Sequence, residues 1–140
     1  MTTSILILED RKTFLENMVQ VIQLTNPDVE ISSNRTVDAA WDEFHKRKHW
    51  DRIIVDLMVP NGKLFSAADT SSGLDTGQAF VELMIKQSGV SFDQIIVHSA
   101  RNRGLWASIA NHPKVIEKPK TEMNHVSLAA FLFGDDSDAA

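Results

Sequence analysis

The sequence contains no cysteine, which removes a disulfide framework, a thiol nucleophile and any zinc site built on thiolates. A reducing cytoplasm is the compartment this composition suits. Basic residues are in deficit: 14 lysines and arginines face 19 aspartates and glutamates, a formal charge of −5. That sign argues against direct nucleic-acid binding or attachment to an anionic membrane. Long apolar runs are missing, and none approaches the ~18 residues of a membrane-spanning helix. The first residues lack a basic stretch followed by an apolar core, so no secretory signal is expected. No repeat recurs. What remains is 140 residues with ordinary apolar (43%) and charged (24%) content. They are expected to form one domain over residues 1–133 with its own core, followed by a flexible acidic tail at 134–140.

One stretch organises the rest. Ile53, Ile54 and Val55 run directly into Asp56, and Pro60 follows four positions later. An unbroken β-branched run suits a strand buried on both faces. Proline has no backbone donor and stops a sheet ladder. Asp56 therefore stands at the carboxyl end of a buried strand, where open α/β sheets place their ligand sites.

Similar runs recur at 4–8, 94–98 and 112–117, with a shorter strand around Val29 and Ile31. Helical spacing lies between them. Leu15, Val19 and Ile22 mark a helix over 11–24. Val37, Ala40, Trp41 and Phe44 mark a second, capped from 34–36 and closing on a basic last turn at 45–49. Phe80, Leu83, Met84 and Gln87 mark a third. Leu105 and Ile109 mark a fourth over 100–110, and Leu128, Phe131 and Leu132 a fifth. Residues 61–76, rich in Gly, Ser, Asp and Thr, read as a long loop. Five alternations of strand and helix predict a parallel sheet with helices on both faces, joined by right-handed crossovers.

Parallel strands share their carboxyl ends, so the polar residues that close them gather at one edge. Those residues are Glu9 and Asp10, then Asp56, Ser99 and Lys118. Three carboxylates in one cleft repel each other unless a cation sits among them. Oxygen donors without imidazole or thiolate select a hard ion, Mg²⁺ first, with Mn²⁺ or Ca²⁺ as substitutes. A hydroxyl and an ammonium group opposite them suit the oxygens of a phosphoryl group. Asp56 is then the nucleophile of an aspartyl phosphate.

At these four strand ends the chain resembles the receiver domains of two-component response regulators. The matching pieces are 5–10, 51–60, 95–100 and 115–119, and the resemblance covers residues 4–133. It implies a flavodoxin-like (βα)5 sandwich with strand order 2-1-3-4-5. It implies that Glu9 and Asp10 bind Mg²⁺, that Asp56 is both phosphoacceptor and metal ligand, and that Met58 lends the metal a backbone carbonyl. It further implies that Ser99 and Lys118 contact the phosphoryl group, across a Lys118–Pro119 bond that is often cis in the family. The donor is a histidine kinase or phosphotransfer protein. The implied chain is a stand-alone receiver, a phosphoacceptor signalling domain rather than a turnover enzyme. Its output passes by protein contact through about 101–133, with a homodimer among the expected partners.

Three features depart from the family pattern. A long insertion separates Pro60 from Gly77, and it reads equally as a lid or partner element and as a tolerated loop. Ile116 stands where many receivers carry a switch Tyr or Phe. Met58 and Arg101 flank the site and are expected to restrict the hydrolytic water. The competing readings are a receiver-like interaction module that is never phosphorylated and an aspartyl phosphatase. The latter lacks the second acid, because Met58 stands two residues beyond Asp56. A flavin carrier is disfavoured because no phosphate-cradling loop follows the first strand. His45 and His49, four apart, read as a solvated helix face rather than a metal grip, and His98 as a packed histidine. Trp41 reads as core, and Trp50 and Trp106 have no assigned place.

Overall fold

Each aliphatic run forms a strand, and in a computed structural model the order is β1 (Ser4–Leu8), α1 (Lys12–Thr25), β2 (Glu30–Asn34), α2 (Val37–Phe44), β3 (His49–Val55), α3 (Thr76–Lys86), β4 (Ser91–Val97), α4 (Ala107–Ala110), β5 (Val115–Glu117) and α5 (His125–Leu132). The structure describes residues 2–100 and 104–134; Arg101 and tail residues 135–140 lie outside it. The five strands are all parallel, in the order 2-1-3-4-5. This is the flavodoxin-like topology expected from the sequence.

The sheet separates two cores. Alternation along β3 sends Ile53 and Val55 to one face and Ile54 to the other. The first face packs against Val37, Ala40 and Phe44 of α2 and Phe80, Val81 and Met84 of α3. The second packs against Leu15, Met18 and Ile22 of α1 and Leu128, Ala129 and Leu132 of α5. Both layers are apolar enough to bury the strands completely, so Ile5, Leu6, Ile7, Ile53, Val55, Ile95 and Ile96 have no exposed surface.

Caps set two helix starts. Thr36 accepts the Ala39 N–H at 3.2 Å, and Asn124 with Ser127 forms a reciprocal capping box on α5. Two expected helix ends move. The second helix stops at Phe44, so the basic segment 45–49 is not its last turn, and His49 opens β3 instead. The fourth helix is described over Ala107–Ala110, with 104–106 outside it. Just before it, the Trp106 N–H donates to the side-chain oxygen of buried Gln78 at 2.6 Å.

The insertion is tied down. Lys63 and Leu64 N–H groups donate to the Asp38 carboxylate at 2.9 and 2.8 Å. Leu64 and Phe65 pack on the α2–α3 core, and Thr70 is fully buried. The three tryptophans belong to this core as well, with Trp50 buried and Trp41 and Trp106 partly so.

Candidate functional site

Register builds the site. Leu8, Val55, Val97 and Glu117 lie in one row across β1, β3, β4 and β5. The next row is Glu9, Asp56, His98 and Lys118. Ladder bonds persist into this row: Asp56 N–H to the Leu8 carbonyl at 3.0 Å, His98 N–H to Val55 at 2.9 Å, and Lys118 N–H to Val97 at 2.9 Å. The strand ends are thus held at one level, and the polar side chains that follow them meet.

Glu9, Asp10 and Asp56 offer carboxylate oxygens within 4.8 Å of one another. Glu9 and Asp56 are almost fully buried. Asp56 Oδ1 takes the Met58 N–H at 3.4 Å, and Glu9 Oε2 takes the Arg11 N–H at 3.1 Å. Asp10, Asp56, Met58, Ser99 and Lys120 line a cavity of about 250 Å³ that also meets Arg11 and Ala100. Ser99 is buried at its wall, and the exposed Met58 side chain stands at its mouth.

Burial and the neighbouring Asp56 charge push the Glu9 carboxyl up from 4.5 to about 7, against the opposing pull of Lys120. Asp10 Oδ1 is buried without a hydrogen-bond partner. An orphaned carboxylate oxygen beside two crowded carboxyls fits a hard divalent cation, which would take Glu9, Asp10 and Asp56 as oxygen ligands. Bound there, the ion would neutralise the carboxylates and draw a phosphoryl oxygen to the site.

One expected residue is elsewhere. Lys118 lies in the row facing α5, and its ammonium sits 4.5 Å from the centre of the Phe131 ring. With its ammonium directed over α5, the Lys118 side chain makes no hydrogen bond or ion pair with Asp56. Lys120 fills the place instead. Its Nζ donates to Glu9 Oε1 at 2.5 Å and to Asp56 Oδ2 at 3.2 Å, and lies 4.2 Å from the centre of the Phe14 ring. The segment between is anchored by His98, whose Nδ1–H donates to the Lys118 carbonyl at 2.5 Å. Burial holds the His98 ring below its ordinary pKa. No peptide bond among the described residues is cis, Lys118–Pro119 included. The signal that could have identified Lys120 was the second lysine two positions on, past a proline that ends pairing.

Gly77 explains how α3 reaches the site. A Cβ there would stand 2.4 Å from the Asp56 carbonyl oxygen and from Leu57 Cα, so only glycine lets the helix start against the end of β3. Ile116, in the position of the missing aromatic, packs on the α1–α5 core.

Comparison with solved structures finds the same fold in receiver domains. A CheY-like response regulator receiver domain from Methylobacillus flagellatus matches with a TM-score of 0.70 and 14% identity, over 95% of this chain and 98% of that one. The receiver domain of a DNA-binding response regulator from Colwellia psychrerythraea 34H matches with a TM-score of 0.65 and 19% identity, over 94% and 95%. A response regulator from Burkholderia pseudomallei, solved with a phosphorylated aspartic acid, a calcium ion and citrate, matches with a TM-score of 0.59 and 17% identity, over 98% of this chain and 70% of that one. No protein-family model matches the sequence, and no curated protein matches it.

Proposed function

We propose that this chain, which has the fold of response regulator receiver domains, is a receiver in which Asp56 accepts a phosphoryl group from a histidine kinase or phosphotransfer protein. The observation that carries the reading is the cluster itself. Three carboxylates from two strand ends lie within 4.8 Å, and a lysine from beyond a third bridges two of them. A phosphoryl site uses an ammonium group beside the carboxylates and an open cavity in front of them, and both are here.

In transfer from a phosphohistidine, an Asp56 carboxylate oxygen bonds to phosphorus as the donor's P–N bond breaks, and the imidazole leaves with the electron pair. Lys120, released from the Asp56 oxygen that becomes esterified, donates to a phosphoryl oxygen. Ser99 offers its hydroxyl from the opposite wall. Mg²⁺ is the proposed ion, held by Glu9, Asp10, Asp56 and the Met58 carbonyl. Met58 limits the approach of water to the acyl phosphate, which lengthens the life of the phosphorylated state. The domain spans about residues 1–133, acts in the cytoplasm, and signals through the surface of α4, β5 and α5.

The test is incubation with Mg²⁺ and a small phosphodonor, read by intact mass. One phosphoryl adduct per chain, absent in Asp56→Asn and absent in EDTA, is the expected result. An unmodified chain that also fails to bind beryllofluoride with Mg²⁺ would replace this reading with that of an unphosphorylated interaction module.

A further inference from the structure

A second donor cluster stands at the opposite end of the sheet. We propose that His49, Asp51 and Asp93 form a divalent-metal site of zinc type at the amino-terminal ends of β3 and β4. Their donor atoms, one from each, lie within 4.8 Å of one another. His49 pairs in register with Ser91, so Asp51 and Asp93, each two residues on, project from the same face of the sheet.

Hydrogen bonds orient two of the three ligands. Ser91 Oγ lies 2.7 Å from His49 Nδ1 and 3.3 Å from the Lys48 carbonyl, which leaves Nε2 as the ring nitrogen on the side of the carboxylates. In the tautomer with the proton on Nδ1, facing Ser91, the Nε2 lone pair is free for a metal. Nε2 meets Asp93 Oδ1 at 3.2 Å and Asp51 Oδ1 at 3.7 Å. Two carboxylate oxygens around that nitrogen call for a positive charge between them, which a divalent metal supplies when Nε2 carries no proton. Asp51 is oriented in the same manner: its other oxygen, Oδ2, accepts the Ser4 N–H at 2.7 Å and the Ser4 hydroxyl at 3.2 Å.

Two of the three ligands are thus held by outer partners, the arrangement that fixes metal-binding imidazoles and carboxylates. Zinc bonds of about 2.0–2.2 Å in a tetrahedron place neighbouring ligand atoms roughly 3.3–3.5 Å apart, and the observed 3.2 and 3.7 Å lie on either side of that range. One imidazole nitrogen with two carboxylates favours Zn²⁺ or Co²⁺ over Mg²⁺. The half-exposed His49 and Asp93 side chains leave room for entry and for water as the fourth ligand. Seven residues of β3 separate His49 from Asp56, roughly 23 Å, so the site is independent of the phosphoacceptor.

Chelator-treated protein is titrated with Zn²⁺ by calorimetry and with Co²⁺ by visible absorption. The expected result is one Zn²⁺ per chain at micromolar affinity and the strong visible bands of four-coordinate Co²⁺. His49→Asn keeps a side-chain donor for Ser91 but removes the metal-facing nitrogen. It and Asp93→Asn should weaken binding at least 100-fold, Ser91→Ala about 10-fold, and Asp56→Asn not at all. Circular dichroism confirms that each variant folds. Absence of micromolar Zn²⁺ binding by the parent would overturn the proposal, because a proton on Nε2 then satisfies the cluster. Unchanged binding in His49→Asn and Asp93→Asn would overturn it equally.

Discussion

Lys120 is held by three neighbours, the carboxylates of Glu9 and Asp56 and the face of Phe14. A cation so placed keeps two buried carboxylates together, and in the proposed transfer it follows the phosphoryl group. Lys120→Ala should therefore lower the phosphorylation rate at least 10-fold, whereas Lys118→Ala, which loses only its contact with Phe131, should alter it less than about 3-fold. Initial rates with a small phosphodonor decide between the two lysines. Glu9 gives a pH prediction. Its folded pKa of about 7 lies above the ordinary 4.5, so the folded state holds the proton more tightly. The stability this contributes is full below 4.5 and is lost as pH rises through 7. Without divalent cation, Glu9→Gln should be more stable than the parent above pH 7, by up to about 3 kcal/mol at one pKa unit per 1.36 kcal/mol. The two should converge below pH 5, as urea unfolding at each pH would show.

At the scale of elements, the site depends on where α3 begins. Gly77 sits against the backbone of Asp56 and Leu57, and its N–H donates to the Leu57 carbonyl at 2.9 Å. Gly77→Ala forces a methyl group into backbone that has no free rotamer with which to yield. The expected cost is about 1–3 kcal/mol, measured by denaturant midpoint, together with slower phosphorylation because Asp56 is displaced. The insertion acts on the same helix from its other side. Asp38, near the start of α2, binds the N–H groups of Lys63 and Leu64. Buried Asp75 precedes α3 and accepts the Ser71 hydroxyl at 2.8 Å. The inserted segment is therefore a packed strap between α2 and α3.

For the whole molecule, the two-sided core determines the stability and the acidic edge determines what modulates it. Residues that close the strands are crowded by like charge, so a cation that binds only the folded chain stabilises it by mass action. Mg²⁺ at 100 times its dissociation constant should add about 2.7 kcal/mol and raise the melting temperature by several degrees. Asp10→Asn should remove most of that shift, because its orphaned oxygen is the ligand with nothing else to satisfy it. Scanning calorimetry with and without Mg²⁺ checks both.

The alternation of aliphatic runs with 3.6-residue spacing determined the fold, because a parallel sheet buried on both faces needs that pattern and few other architectures do. It also determined the carboxylates: a charged residue that ends a buried strand can only point over the sheet edge. Short-range signals went astray where a distant partner intervened. α4 starts only at Ala107, with the Trp106 N–H bonded to the Gln78 side chain, and His49 left a helix because β4 was there to pair with it. Which lysine meets Asp56 was a matter for tertiary structure, since the sequence lists Lys118 and Lys120 two residues apart with the same alternation. The decision falls to Phe131 beneath one ammonium group and to the two carboxylates beneath the other.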